Sequence, residues 1–192
     1  AVAATRNAAV IDPGSAAAFE CRALAHLMYA EWLFEHGQDT GAVLVEAEQF
    51  ADRGGWVVDS QFMDQMGSPY LMAHGMGVPV ENASTTIEVP SSGSYHLWAR
   101  TTDWAPGPWT SPGQFQILLG GKRLPETMGN YVHWGWNYAG KVNVKGGPVL
   151  LELEDLTGFD GRCDAIYLTK DAAPELPCDD LVELAAWKDQ LA

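Results

Sequence analysis

From Ala42 onward the apolar residues recur at every second position, in short segments separated by Gly, Pro, Asn and Ser. The segments "TTIEV", "SYHLWART" and "LLELE" alternate in this way, and "PSSG" and "NVKGGP" supply turns between them. We predict strands at 43–48, 56–58, 85–89, 94–101, 114–119, 141–144, 149–154 and 164–168. Because no helical pattern intervenes, these strands favour a mostly β fold, an antiparallel β-sandwich of the jelly-roll kind.

Helical patterns flank the predicted sandwich on both sides. In the stretch 12–37, Asp12 can cap a helix, Pro13 suits its first turn and Gly37 suits its end. Its broad apolar stripe includes Phe19, Leu24, Leu27 and Trp32, and we expect it to pack on the sandwich or on a second copy of the chain. The close, "PELPCDDLVELAAWKDQLA", predicts a short C-terminal helix. The chain therefore divides into a helical segment (1–40), a sandwich (41–171), and a linker with a helix (172–192).

The charge balance excludes some partners. Of the 192 residues 11 are basic and 25 are acidic, which gives a formal net charge of -14. Such a chain repels nucleic acid and anionic lipid, so neither is expected as a partner. No apolar run is long enough to span a membrane, and a start at Ala1 is the start expected of a processed chain.

The three cysteines do not have the spacing of a structural zinc site. Cys21, Cys163 and Cys178 form no C-x-x-C pair, which also argues against a disulfide-rich scaffold. Free, mostly buried thiols are the favoured interpretation. A Cys163–Cys178 bridge remains the alternative.

The first predicted strand carries two carboxylates. In "VLVEAEQF", alternation places Glu46 and Glu48 on the same face. Neighbouring carboxylates repel each other unless a cation lies between them, and calcium prefers oxygen ligands of this kind. The residues alone leave two alternatives, a metal site or a solvated acidic face.

Three motifs carry a resemblance to a known group of proteins. The opening "EAE", the middle pattern with Gly93, Tyr95 and Arg100, and the closing "CDAIYL" resemble carbohydrate-binding modules of families six and thirty-five, which are calcium-containing β-sandwiches. The resemblance implies a non-catalytic module with a structural calcium ion. Its ligands would be Glu46, Glu48 and Asp164, at the point where the first and last strands meet.

A second resemblance covers residues 45–171. The phrases "GGWVVDSQFMDQMGSPYLMAHGMGVPV", "RTTDW" and "DLTGFDGRCDAIYL" resemble a module found beside FAD-dependent oxidoreductase domains in large exported bacterial proteins. This resemblance implies a partner catalytic domain and a secreted or periplasmic location. The chain has no G-x-G-x-x-G turn between a strand and a helix, so it is not itself the flavin domain.

Two aromatic segments, 103–115 and 129–140, are the candidate ligand site. Sugar rings stack on aromatic side chains, and their hydroxyl groups bond to Asn, Asp and His. We predict that a polysaccharide or oligosaccharide binds to a set taken from both segments: Trp104, Trp109, Asn130, Tyr131, His133 and Asn137. Burial in the core is the alternative role for these aromatic residues. We expect a split, in which Trp134 or Trp136 is structural, while Trp104 or Trp109 is exposed together with Tyr131.

Two further polar stretches allow other roles. Asp59, Asp64 and His74 could form the acid–base set of a glycan-active lyase or hydrolase, although a structured loop over the sandwich explains the segment 59–77 more economically. In "DLTGFDGR", we expect Asp155 and Asp160 to accept backbone N–H groups and Arg162 to pair with either of them. A docking module without glycan binding is the remaining functional alternative.

Overall fold

The computed structural model describes residues 41–177 and 180–191, which form two antiparallel sheets and two short α-helices. The prediction of a mostly β, two-sheet antiparallel fold is confirmed. The strands are β1 Val43–Glu46, β2 Val57–Asp59, β3 Tyr70–His74, β4 Ala83–Val89, β5 Gly93–Thr102, β6 Phe115–Leu119, β7 Lys122–Arg123, β8 Gly135–Val144, β9 Gly147–Asp155 and β10 Phe159–Thr169. The helices are α1 Met63–Met66 and α2 Leu181–Asp189, and Ala47–Gln49 forms a 3₁₀ turn.

The larger sheet has six strands and is built around β10. Five of them follow the order β2-β3-β10-β5-β8, and β1 also pairs with β10. One edge of β10 pairs first with β3, through Phe159–Cys163, and then with β1, where Ala165 lies opposite Glu46. The first and last strands therefore meet beside Asp164, as the sequence resemblance implies. The smaller sheet has four strands in the order β4-β9-β6-β7.

The core lies between the two sheets and follows the alternation of the strands. Leu97 and Ala99 of β5 and Leu151 and Leu153 of β9 are fully buried members of one apolar cluster. Trp56 belongs to the same cluster and contacts Phe115 edge to face, with 5.5 Å between the ring centroids. The residues between these positions in β5 point to the opposite face of the larger sheet, which carries the polar and aromatic groups described below.

The C-terminal helix is confirmed and has a side-chain cap. The Asp180 carboxylate accepts hydrogen bonds from the backbone N–H groups of Val182 and Glu183, which the first turn would otherwise leave unpaired. The predicted N-terminal helix, and self-association through it, fall on residues 1–40, outside the described residues. No helix in the described ranges has the length and hydropathy needed to cross a membrane.

Several element boundaries differ from those predicted. Strand β1 ends at Glu46, because the chain turns into the 3₁₀ helix at Ala47. The stretch 59–77, interpreted as a loop, contains α1 and β3, and β8 begins within the aromatic segment 129–140. Strand β7 was also missed. Cys163 is a buried free thiol, and Cys21 and Cys178 lie outside the described residues.

Candidate functional site

Two loops meet at the end of the sandwich where β5 finishes and β8 begins. Residues 103–114 connect β5 to β6, and residues 124–134 connect β7 to β8. The backbone N–H of Asp103 donates to the carbonyl oxygen of Tyr131 over 2.5 Å, which joins the two loops. Exposed Trp104, Trp109 and Tyr131 belong to these loops. We call this surface the aromatic end.

Trp104 is held at both its edge and its face. Its side chain is 39% exposed. The indole N–H donates to the carbonyl oxygen of Phe159 at 2.8 Å, and the Arg162 guanidinium lies 5.4 Å from the ring centroid. Such a cation–π contact fixes the orientation of the ring. The partly exposed ring is therefore positioned before any ligand arrives.

Trp109 is the most exposed aromatic side chain of this surface, at 61%. Its indole N–H donates to the carbonyl oxygen of Ala105 at 2.8 Å, so the loop folds back on itself. A Cβ at Gly107 would lie 2.3 Å from Cζ2 of this ring, so the ring rests directly against the glycine backbone. A side chain at position 107 would displace the indole.

The polar candidates divide between the surface and the interior. Tyr131 is 53% exposed, and Asn130 and His133 beside it are also exposed. Asn137 is only 8% exposed, and its amide donates to the carbonyl oxygens of Gly135 and Thr101. The structure thus brings five of the six predicted ligand residues to the aromatic end, and it places Asn137 inside the fold.

Trp134 and Trp136 pack against other aromatic side chains. The Trp134 ring lies 5.2 Å from that of Tyr70. The Trp136 ring lies 5.6 Å from that of Trp187, and its N–H donates to the carbonyl oxygen of Pro177. Both contacts are structural, and Trp104, Trp109 and Tyr131 remain exposed. This is the division of the aromatic residues that the strand and loop contexts predict.

The turn between β9 and β10 agrees with its prediction only in part. Asp155 accepts the backbone N–H groups of Thr157, Gly158 and Val80, as expected of a buried turn carboxylate. Asp160, however, pairs with Nδ1 of His74 at 2.5 Å. The Arg162 guanidinium lies 5.3 Å from the ring centroid of Phe62 and 5.4 Å from that of Trp104, so cation–π contacts replace the expected carboxylate pairing.

Two of the three predicted calcium ligands, Glu46 and Asp164, lie around an ammonium group. We call Glu46, Glu48 and Asp164 the acidic cluster. Nζ of Lys188 lies 2.8 Å from Glu46 and 3.3 Å from Asp164. Asp164 is fully buried and also accepts a hydrogen bond from Arg100 at 3.1 Å. In the described ranges no group of three or more His, Cys, Asp or Glu side chains is arranged to hold a metal ion. Calcium here stays a prediction.

Burial controls the protonation of the two glutamates. It raises the pKa of Glu46, although Lys188 acts in the opposite direction. Burial raises the pKa of Glu48 to about 7, and repulsion by Glu46 and Asp164 adds to this effect. One carboxylate oxygen of Glu48 is buried without a hydrogen-bond partner. The negative charge of Glu48 is therefore the least compensated in the acidic cluster.

The candidate acid–base residues do not share one site. Asp59 accepts a hydrogen bond from the hydroxyl of Tyr70 at the start of β3, whereas His74 ends that strand. Four strand residues span about 13 Å, too far for Asp59 and His74 to act on the same bond. Asp64 is exposed on α1. Burial, followed by the bond with Asp59, raises the pKa of Tyr70, so this phenol stays protonated near neutral pH.

A shallow cleft of about 330 Å³ opens between the β6–β7 and β8–β9 turns. Its lining includes Lys122, Lys145 and Leu150, and none of the lining residues is aromatic. It does not include any residue of the aromatic end. Its chemistry therefore does not match the predicted sugar site.

Sequence reasoning missed the cations of the acidic cluster. Arg100 had one available signal, since an arginine within an alternating strand needs a buried acid as its partner. Lys188 had none, because 142 residues separate it from Glu46. Arg162 was noticed, but its contacts with Phe62 and Trp104 depend on how three distant segments fold.

Comparison with known proteins gives matches in structure only. No protein-family model matches the chain. No curated protein matches it either.

Three solved structures show the likeness. A family 35 carbohydrate-binding module from Clostridium thermocellum has 20% identity and a TM-score of 0.52, over 66% of this chain and 96% of that one. The family 35 module from Paenibacillus barcinonensis has 18% identity and a TM-score of 0.51, over 67% and 99%. The Podospora anserina GH26-CBM35 β-(1,4)-mannanase has 20% identity and a TM-score of 0.55, over 72% of this chain and 29% of that one. The chain thus has the fold of these modules and spans less than a third of the mannanase.

Proposed function

We propose that this chain is a non-catalytic carbohydrate-binding module, ancillary to a larger enzyme, which binds a polysaccharide or oligosaccharide through the aromatic end. The observation that carries the proposal is the exposure of Trp104, Trp109 and Tyr131 in two loops joined by a backbone hydrogen bond. Aromatic side chains left in water at one end of a rigid scaffold are typical of binding sites.

The preorganisation of the rings supports this function. Both indole N–H groups already have acceptors within the protein, on Phe159 and Ala105. Arg162 covers one face of Trp104. The Gly107 backbone lies against Trp109. The uncovered face of each ring is therefore the part left for a ligand, and a sugar ring presents polarised C–H groups to such a face. A ring held in place loses little conformational entropy when the ligand binds.

Polar groups beside the rings can bond to sugar hydroxyls. Asn130 and His133 are exposed next to Tyr131, and the His74–Asp160 pair lies at the same end of the larger sheet. Stacking provides affinity for any sugar, whereas the geometry of these hydrogen bonds selects among sugars. Specificity therefore depends on these polar side chains.

The setting of similar structures supports an ancillary role. The Podospora protein joins a family 35 module to a mannanase in one chain, and other similar structures are isolated modules of that family. By analogy, this chain serves a catalytic domain, either polysaccharide-processing or the FAD-dependent oxidoreductase implied by the sequence resemblance, in a secreted or periplasmic protein.

Affinity electrophoresis and a glycan microarray test the proposal. The wild-type chain is expected to bind at least one polysaccharide. Trp109→Ala and Tyr131→Ala should each lose about tenfold in affinity, or about 1.4 kcal/mol, at an unchanged Tm. Leu150→Ala is the matched control, because it removes an exposed apolar side chain from the opposite end. A wild-type chain that binds no glycan, or variants that bind as well as the control, would refute glycan binding.

A second candidate function is protein docking, and one patch favours it. Met76, Val78 and Phe159 are exposed apolar side chains, and the Phe159 ring lies against Gly77 between the first two. Such a patch offers no hydrogen bonds to a sugar and is typical of protein contacts. Sedimentation velocity of the wild type and of Met76→Asp tests a second copy as the partner. Self-association that the substitution weakens, without glycan binding, would favour docking.

A further inference from the structure

Lys188 supplies a cation to the acidic cluster from the far end of the chain. Its Nζ lies 2.8 Å from Glu46 Oε2, 3.3 Å from Asp164 Oδ2 and 3.3 Å from Ser68 Oγ. An ammonium group has three N–H donors, and three oxygen atoms surround this one. The Lys188 side chain is only 12% exposed, so water screens these contacts weakly.

The helix that carries Lys188 is fastened by other contacts as well. Leu184 is buried, and the Trp187 ring lies 4.9 Å from that of Tyr167 on the larger sheet. Trp136 contacts Trp187 and also donates to the carbonyl oxygen of Pro177, in the segment before α2. These contacts place Lys188 over the acidic cluster, so the position of the ammonium follows from the docking of the whole helix.

The carboxylates as they lie do not fit the calcium ion that the sequence resemblance implies. Calcium requires six to eight oxygen ligands that are free to coordinate it. Both oxygens of Asp164 are already engaged, Oδ1 with Ser68 and Oδ2 with Arg100 and Lys188. A calcium ion beside Glu46 would also have to approach the Lys188 ammonium, which repels it.

We propose that the Lys188 ammonium takes the place of a metal ion in the acidic cluster and holds α2 against the sandwich. Without the ammonium, Glu46 and Asp164 repel each other even though Arg100 still pairs with Asp164, and neither can move far because β1 and β10 pair beside them. Lys188 relieves this repulsion within the chain. The fold therefore reaches full stability without calcium.

Thermal unfolding of the full chain in calcium and in chelator tests this. The wild-type Tm should be the same in both. Lys188→Gln should lower the Tm in chelator by about 5 °C or more, as expected when a largely buried ion pair loses one partner. Lys145→Gln, which makes the same charge change at an exposed residue, should behave like the wild type.

Hydrogen exchange measures how firmly α2 is held against the sandwich. The amides of 181–189 should lose protection in Lys188→Gln and keep it in Lys145→Gln. Lys188→Arg retains the positive charge, so it should stay folded and insensitive to calcium even where Lys188→Gln fails to fold. Calcium stabilisation of the wild type or of Lys188→Arg would overturn the proposal. An unchanged Tm of Lys188→Gln, or unchanged protection of the amides of 181–189 in that variant, would overturn it as well.

Discussion

Gly129 holds the two loops of the aromatic end together, and its replacement by alanine has a predictable cost. Gly129 has a φ of +83°, which L-residues rarely adopt. A Cβ there would also lie 2.0 Å from the carbonyl oxygen of Gly113, in the loop between β5 and β6. Alanine thus introduces backbone strain and a clash with a neighbouring main chain, which has no rotamer to relieve it.

Gly121 separates these two effects. Its φ of +73° is of the same class, but a Cβ there would meet nothing within 4 Å. Gly121→Ala should therefore lower the free energy of unfolding only through backbone strain, by about 1–2 kcal/mol. Gly129→Ala should lower the free energy of unfolding by the same amount and, because of the clash with Gly113, by about 1–3 kcal/mol more. At about 2–4 °C per kcal/mol, the Tm of Gly129→Ala should lie about 2–12 °C below that of Gly121→Ala.

The same pair of variants reports on function. Gly129 precedes Asn130 and Tyr131, so relief of the clash moves these residues away from Trp104 and Trp109. Gly129→Ala should therefore weaken glycan binding at temperatures where it is fully folded, whereas Gly121→Ala should not. Thermal denaturation followed by circular dichroism, with affinity electrophoresis on the same samples, measures both effects. Equal Tm values for the two variants would refute the claim that the contact between Gly129 and Gly113 sets the loop geometry.

Two further predictions concern buried ionisable groups. Because burial raises the folded-state pKa of Glu48 to about 7, from an ordinary 4.5, the folded chain binds the extra proton between these values, and stability falls as the pH rises through that window. Glu48→Gln should therefore be more stable than the wild type at pH 8 and lose this advantage toward pH 5, as urea denaturation can measure; a difference independent of pH would contradict this. Burial also raises the pKa of the Cys163 thiol. Iodoacetamide should label Cys163 only after denaturation, as peptide mapping can show, and rapid labelling of the native chain would count against a closed core.

Local alternation accounts for the strands that were predicted well. In "TTIEV", "SYHLWART" and "LLELE" one face packs on the core and the other does not, so the pattern survives in the sequence of β4, β5 and β9. Strand β3 was missed because its first two residues, Tyr70 and Leu71, are both buried although they point to opposite faces. Burial on both faces removes the alternation. The first part of β8 was missed for a different reason: the glycines at 135 and 140 have no side chains and interrupt the alternation.

The sequence predicted more of the aromatic end than of its supporting contacts. Pro- and Gly-rich context correctly indicated that Trp104 and Trp109 lie in exposed loop, since such segments run over the surface. It could not indicate that Asn137 turns inward, because that depends on the register of β8 against β5. The placement of Arg162 against Trp104 joins β10 to a loop more than fifty residues earlier, and no local pattern encodes it.

The sequence by itself determined the two-sheet antiparallel fold, and its resemblance to known modules implied that Glu46 and Asp164 meet where the first and last strands pair. Strand alternation is a local property, and the periodicity of the backbone carries it directly. Only the tertiary structure decided which cations accompany those carboxylates. Arg100 and Lys188 lie 64 and 24 residues from Asp164 along the chain, yet both reach the same oxygen. Charge pairing depends on distance in space and on burial, neither of which sequence spacing records.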